Sequence, residues 1–173
     1  MKIWVSRGLN IIIILVIGFA ILQRVPDVLY HIKSENQRVP SFKAHLITGE
    51  VIDSEAIKAN QVLVFWATWC EPCKLELWRI NRMIESKEIA AESVIAISSF
   101  EDYDLVKRVS FDRGYKFQIG LDPNGQIANQ FQITGTPTIV IFGRNLEIKW
   151  FTTGLSPLLE LNVKRYLSNN PAS

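Results

Sequence analysis

Cys70 and Cys73 are the only cysteines in this 173-residue chain, and two residues separate them in Trp69-Cys70-Glu71-Pro72-Cys73. A disulfide at that spacing closes almost no loop, so it constrains little of the unfolded chain and has little value as a staple. What the spacing does suit is thiol–disulfide exchange, in which one thiolate attacks a foreign disulfide and its neighbour resolves the mixed disulfide. Half of a metal site is the other use of such a pair. Zinc ordinarily takes four ligands, and beyond the two cysteines the chain offers only His31 and His45 as thiol or imidazole ligands.

A reactive pair has to be presented, and the flanking residues indicate how. Val62-Leu63-Val64-Phe65-Trp66 is a continuous apolar run of strand length, rich in β-branched and aromatic residues, which suits a strand covered on both faces. Beyond the cysteines, Cys73, Leu77, Ile80 and Ile84 recur at steps of four, three and four, one stripe of an amphipathic helix. Cys70 then stands at the helix N-terminus and Cys73 one turn in. Unpaired N–H groups and about half a positive charge collect at a helix N-terminus. A free thiol has a pKa of about 8.5, and this setting lowers it. Cys70 is therefore the expected nucleophile and Cys73 the resolving thiol. Pro72 fits the first turn, where its missing N–H costs nothing; Glu71 adds a negative charge that opposes the thiolate slightly.

The remaining elements alternate. Phe42–Leu46 alternates in polarity and meets Thr48-Gly49-Glu50, a hairpin turn ahead of Val51-Ile52. Asp53 or Ser54 caps a short helix through Lys58. Val94–Ser98 and Thr138–Phe142 read as two further buried strands, and Asp102–Arg113 as an exposed helix with Leu105, Val106 and Val109 inward. Asp122-Pro123-Asn124-Gly125 is a turn before a short helix around Ile127–Phe131. Gly143-Arg144-Asn145 leads into a hairpin partner at Leu146–Phe151, and a helix from Leu155 to Leu167 carries Leu158, Leu161, Val163, Tyr166 and Leu167. The pattern predicts an α/β domain, a mixed central sheet with helices on both faces.

Nearly half of the residues are apolar (48%) and about a fifth charged (21%), an ordinary globular balance, and the formal net charge of +2 gives no sign of a nucleic-acid partner. Lys2 and Arg7 precede an apolar run, Leu9–Leu22. With Val25 and snorkelling by Gln23 and Arg24, residues 9–25 make about 25 Å of helix, workable against a hydrocarbon core of about 30 Å. Residues 1–8 are then cytoplasmic, 9–25 an uncleaved transmembrane anchor, 26–39 a tether, 40–168 the folded domain and 169–173 a tail. A cleaved signal peptide is the competing reading, since Gly18-Phe19-Ala20 loosely fits a small-x-small cleavage site; a buried core helix is a third. Positive charge ahead of the run favours a cytoplasmic N-terminus and an exported C-terminal domain.

Strand, Trp66-Ala67-Thr68-Trp69-Cys70-Glu71-Pro72-Cys73-Lys74, helix, and later Gly135-Thr136-Pro137-Thr138 ahead of a strand together resemble the thioredoxin fold. More closely, the chain from Pro40 to Leu167 resembles the membrane-tethered bacterial thioredoxin-like proteins of the TlpA, ResA and DsbE type, which carry an N-terminal β-hairpin extension. Within that group, the short anchor and the closing Phe151-Thr152-Thr153-Gly154 with its helix are most similar to the suppressor-of-copper-sensitivity protein D branch.

The resemblance implies a thiol–disulfide oxidoreductase without cofactor. It would be single-pass in the bacterial inner membrane, with its domain in the periplasm or extracytoplasmic space. Its partners would be protein thiols and disulfides, together with a membrane electron-transfer protein that sets its redox state. It implies a cis Thr136–Pro137 bond opposite the cysteines, with Thr136, Pro137 and Trp69 bordering the docking groove; an ordinary trans proline opening a strand is the alternative. It implies that Glu76, a partly buried carboxylate, assists proton transfer at Cys73, against the plainer reading of a solvated helix glutamate near Lys74 and Arg79. Two departures stand out. Thioredoxin has a buried aspartate where this chain has Val64, and many relatives kink the helix with a proline where this chain has Trp78. A copper(I)-binding or copper-delivery protein using the same two cysteines is the alternative function. A thiol peroxidase is disfavoured because Leu63 and Ala67 replace the proline and threonine of its motif.

Overall fold

The computed structural model describes residues 37–168. The expected anchor at 9–25, the residues ahead of it, most of the tether and the 169–173 tail lie outside the described residues. Within these, no helix is long and apolar enough to cross a membrane. In chain order the elements are β1 (Lys43–Leu46), β2 (Val51–Asp53), β3 (Gln61–Trp66), α1 (Glu71–Glu85), β4 (Val94–Ser99), α2 (Tyr103–Asp112), β5 (Gln118–Asp122), α3 (Gln126–Gln130), β6 (Thr138–Phe142), β7 (Ile148–Thr153) and α4 (Leu159–Leu167). The strands form one seven-stranded sheet in the order β2-β1-β5-β4-β3-β6-β7. The β3–β4 and β4–β5 pairs are parallel and the rest antiparallel. The mixed sheet with a leading hairpin is the architecture expected from the sequence.

Alternation along the central strands divides the core in two. Val62, Val64 and Trp66 of β3, Val94 and Ala96 of β4, and Ile139 and Ile141 of β6 face one side, where they meet α1, α4 and Val106 of α2. Leu63, Phe65, Ile95, Ile97, Val140 and Phe142 face the other, against α3, Phe42 and Val39. Successive side chains of a strand point to opposite faces, so a run buried on both has to be apolar throughout. Val64 sits fully inside the first cluster.

Several elements differ from the sequence expectation. β5 has no counterpart in it: Gly120 interrupts the apolar signal, and glycine in a strand reads as a weak point. A Cβ there would lie 3.3 Å from the Ala44 Cβ and 3.5 Å from Ile97 Cγ1, so the bare backbone lets β1 and β4 close around β5. The short helix after Asp53 is a single 3-10 turn, Ser54–Ala56, capped by the Asp53 carboxylate. The last helix starts at Leu159 rather than Leu155, since Ser156 precedes Pro157 and is thereby biased away from helical backbone. Its inward face is Leu159, Val163 and Leu167, with Leu158 and Leu161 exposed. In α1 the stripe continues through Met83, with Ile84 half-buried. The packed domain also begins ahead of Pro40: the Ile148 N–H donates to Gln37 O, the Val39 N–H donates to Leu146 O, and Val39 is buried.

Candidate active site

Four residues lead from the end of β3 to α1. The Cys70 N–H donates to Ala67 O at 3.2 Å, turning the chain, and the Lys74 N–H donates to Cys70 O at 3.2 Å, closing the first helical turn. Cys70 is the helix N-cap, with extended backbone at φ −82° and ψ 103°. Caps are usually Ser, Thr, Asp or Asn, whose oxygen accepts an orphan N–H; here the Cys70 sulfur fills that place, accepting the Cys73 N–H at 3.2 Å. The two sulfurs are joined in a disulfide, with Cα atoms 5.2 Å apart. Cys73 is fully buried (0% exposed) and Cys70 nearly so (4%). Glu71 points into solvent and pairs loosely with Lys74 at 3.9 Å. Trp69 is 76% exposed beside the pair, whereas Trp66 is core.

The Thr136–Pro137 peptide bond is cis. Pairing of Phe65 with Thr138 sets Pro137 beside the end of β3, the end from which the cysteine loop departs. The Pro137 carbonyl accepts the Gly154 N–H at 2.7 Å, and the Thr138 hydroxyl donates to Gly135 O at 2.7 Å. Pro137 is buried and Thr136 half-buried.

Glu76 is not the solvated helix residue of the plainer reading. It is fully buried on the face of α1 that carries Cys73, Leu77 and Ile80. The Ser156 N–H donates to its Oε1 at 2.6 Å, and Arg79 Nη1 donates to its Oε2 at 2.9 Å. Arg79 also donates from Nη1 to Ser156 O at 2.8 Å and from Nε to Glu160 Oε1 at 3.2 Å. Both carboxylate oxygens are thus occupied, and the group ties α1 to the segment entering α4. Lys74 plays no part in it.

A second carboxylate, Glu101, escaped the sequence reading. The Thr68 N–H donates to both its oxygens, at 3.1 and 2.9 Å; the Thr68 hydroxyl donates to Oε1 and the Ser98 hydroxyl to Oε2. Arg113, at the end of α2, donates to the Thr68 carbonyl at 3.0 Å and to the Tyr115 hydroxyl at 3.4 Å. The Tyr115 ring meets Trp66 edge-on at 5.8 Å. Burial pushes the Tyr115 phenol above its ordinary pKa, partly offset by Arg113. The available signal was positional: residues just past the carboxyl ends of adjacent parallel strands share one edge of the sheet, and Glu101 follows β4 as Thr68 follows β3. His45, by contrast, is exposed on β1, which β5 and β4 separate from β3.

The AhpC/TSA family model matches residues 36–151, a span that holds the cysteine pair, Glu76, Glu101 and Pro137. The chain belongs to the AhpC/TSA family. It is 30% identical over 124 residues to a thioredoxin-like protein of Haemophilus influenzae, covering 70% of this chain and 72% of that one. To the thiol-disulfide oxidoreductase ResA of Bacillus subtilis it is 23% identical over 154 residues, covering 88% of this chain and 86% of that one. Among solved structures, StoA from Bacillus subtilis superposes with a TM-score of 0.64 at 22% identity, covering 74% of this chain and 96% of that one. The fold is the thioredoxin-like α/β fold.

Removing one partner of a buried ion pair leaves an uncompensated charge. Arg79→Ala is accordingly expected to destabilise the folded domain by about 3 kcal/mol. Arg79→Lys keeps the charge but not the fork that reaches Glu76, Ser156 and Glu160, and is expected to recover only part of the loss. Urea unfolding of the three forms measures this, and an Arg79→Ala protein as stable as wild type contradicts it.

Proposed function

We propose that this chain is a membrane-tethered, extracytoplasmic thiol–disulfide oxidoreductase of the ResA/DsbE type, exchanging disulfides with protein partners through Cys70 and Cys73. The observation that carries the reading is the Cys70 sulfur at the N-cap of α1, accepting the Cys73 N–H. A donor and the positive end of the helix both favour negative charge on that sulfur. In the reduced protein the Cys70 thiolate attacks one sulfur of a partner disulfide. A Cys70–partner bond forms, the partner S–S bond breaks, and the partner's other sulfur leaves as a thiolate. The Cys73 thiol loses its proton and attacks the Cys70 sulfur; the Cys70–Cys73 bond forms and the partner leaves with both of its sulfurs reduced. Run backwards, the same steps oxidise a dithiol. Cys73 is fully enclosed, whereas Cys70 keeps a small exposed edge (4%) and holds the N-cap position, so first attack is assigned to Cys70.

Trp69, Thr136 and Pro137 are the proposed docking residues, the partner strand lying along the backbone of Thr136. Glu76, one turn beyond Cys73 on the same buried face, is proposed to take the Cys73 proton. The apolar span at 9–25, with Lys2 and Arg7 ahead of it, supports a single-pass inner-membrane anchor and an extracytoplasmic domain, where disulfides persist. A membrane electron-transfer protein would then set the redox state of the pair. The finer placement near the suppressor-of-copper-sensitivity protein D branch rests on Phe151-Thr152-Thr153-Gly154 ahead of α4. A primary role in copper(I) binding is less well supported: among the described residues no group of three or more His, Cys, Asp or Glu could hold a metal ion, and His45 lies away from the pair.

The full chain in detergent is expected to show a reversible dithiol–disulfide couple in glutathione buffers. Cys70→Ser abolishes exchange, and Cys73→Ser accumulates mixed disulfides with partner proteins. An inert couple overturns the proposal; stoichiometric copper(I) binding without exchange replaces it with the metal reading. Glu76→Gln is expected to slow exchange near neutral pH, and an unchanged pH–rate profile leaves Glu76 as the tie between α1 and α4.

A further inference from the structure

We infer that Glu101 is a positioning residue for the exchange reaction: with Arg113 it clamps the peptide groups on both sides of Thr68 and so fixes the loop that presents Cys70. The inference rests on the oxidoreductase reading of the cysteine pair. Thr68 lies within the short passage between β3 and α1, in which Ala67 and Cys70 are packed in the core. Its N–H and hydroxyl both end on the Glu101 carboxylate, and its carbonyl ends on Arg113. Two peptide planes are thereby set, and the Cys70 N–H donates to the carbonyl of Ala67, which belongs to the first of them.

The clamp is itself built into the sheet. Glu101 is anchored by the hydroxyl of Ser98, in β4, which is the residue paired with Trp66 at the end of β3. Between Ser98 and Glu101 the chain reverses at Phe100, whose φ of 62° is uncommon for an aromatic residue. That conformation is held by the Phe100 N–H donating to Asp122 O at 3.1 Å. The Phe100 ring occupies the space where Gly125 lacks a Cβ; one built there would fall 1.9 Å from Phe100 Cζ. Strained backbone that the surroundings hold in place is found preferentially at functional sites. Here it turns Glu101 back under the cysteine loop while leaving Phe100 exposed.

A positioning role and an electrostatic one give different results. Glutamine keeps an amide oxygen that accepts from the Thr68 N–H and hydroxyl but carries no charge; alanine removes both. Exchange between the reduced full chain and glutathione disulfide is measured at a temperature where thermal unfolding shows every variant folded. Glu101→Ala is expected to slow exchange about tenfold, the scale of a small misplacement of a reacting group. Glu101→Gln is expected to stay within about twofold of wild type, because the oxygen still meets Thr68. Glu101→Gln as slow as Glu101→Ala means that the charge matters, and overturns the inference; so does wild-type exchange by Glu101→Ala, or a loss that follows the unfolded fraction. If the wild-type chain exchanges no faster than Cys70→Ser, the oxidoreductase reading fails and the inference falls with it.

Discussion

The hydrogen bond from the Cys73 N–H to the Cys70 sulfur exists because the chain passes from the last paired residue of β3 to the first turn of α1 in four residues. A longer connection would let the helix start elsewhere, and the sulfur would lose its place among the orphan N–H groups. That short passage in turn requires β3 to be fixed at its end. It lies between β4 and β6, with pairing that runs as far as Trp66 opposite Ser98 on one side and Phe65 opposite Thr138 on the other. The same two pairings bring the two other components of the site to this edge, Glu101 through β4 and Pro137 through β6.

The helix is held equally firmly from below. Cys73, Leu77, Ile80 and Met83 pack on the β3 face formed by Val62, Val64 and Trp66. Thioredoxin places an aspartate where this chain has Val64, and a buried carboxyl there would need its own donors. This chain keeps that wall apolar, and the two carboxylates that hold the active helix and its loop lie outside the strand, Glu76 buried on α1 and Glu101 half-buried just after β4. Glu76 meets Arg79 and the Ser156 N–H; Glu101 meets Thr68 and the Ser98 hydroxyl. Each joins two segments distant in sequence. Glu76 links the body of the active helix to α4, whereas Glu101 links the loop ahead of it to β4.

Much of this was legible in the sequence because it depends on local pattern. The apolar run at 62–66 and the stripe through Cys73, Leu77 and Ile80 gave strand and helix, and the junction between them placed the cysteines. Thr138–Phe142 was legible to the residue, being β-branched or aromatic throughout and buried on both faces. What escaped depends on contacts between distant segments. β5 drew no strand expectation because Gly120 serves its neighbours' packing rather than its own strand propensity. Leu158 and Leu161 were expected on a helix from Leu155, yet the bias of Ser156 ahead of Pro157 delays its start to Leu159 and both side chains are exposed. Glu76 was visible as a candidate with Arg79 near it, but the Ser156 N–H was not, since Ser156 lies eighty residues away. Glu101, flanked by Phe100 and Asp102 in an ordinary polar stretch, had no spacing signal at all.

The asymmetry of the cysteine pair is open to direct measurement. The reduced full chain is treated with iodoacetamide across a range of pH, and the modified cysteine is identified by mass spectrometry. Cys70 should react first, with a half-maximal rate well below the value of about 8.5 for a free thiol, while Cys73 stays unmodified until the domain unfolds. Equal modification of both cysteines, or a Cys70 profile centred at or above the free-thiol value, would contradict a thiolate held at the N-terminus of α1.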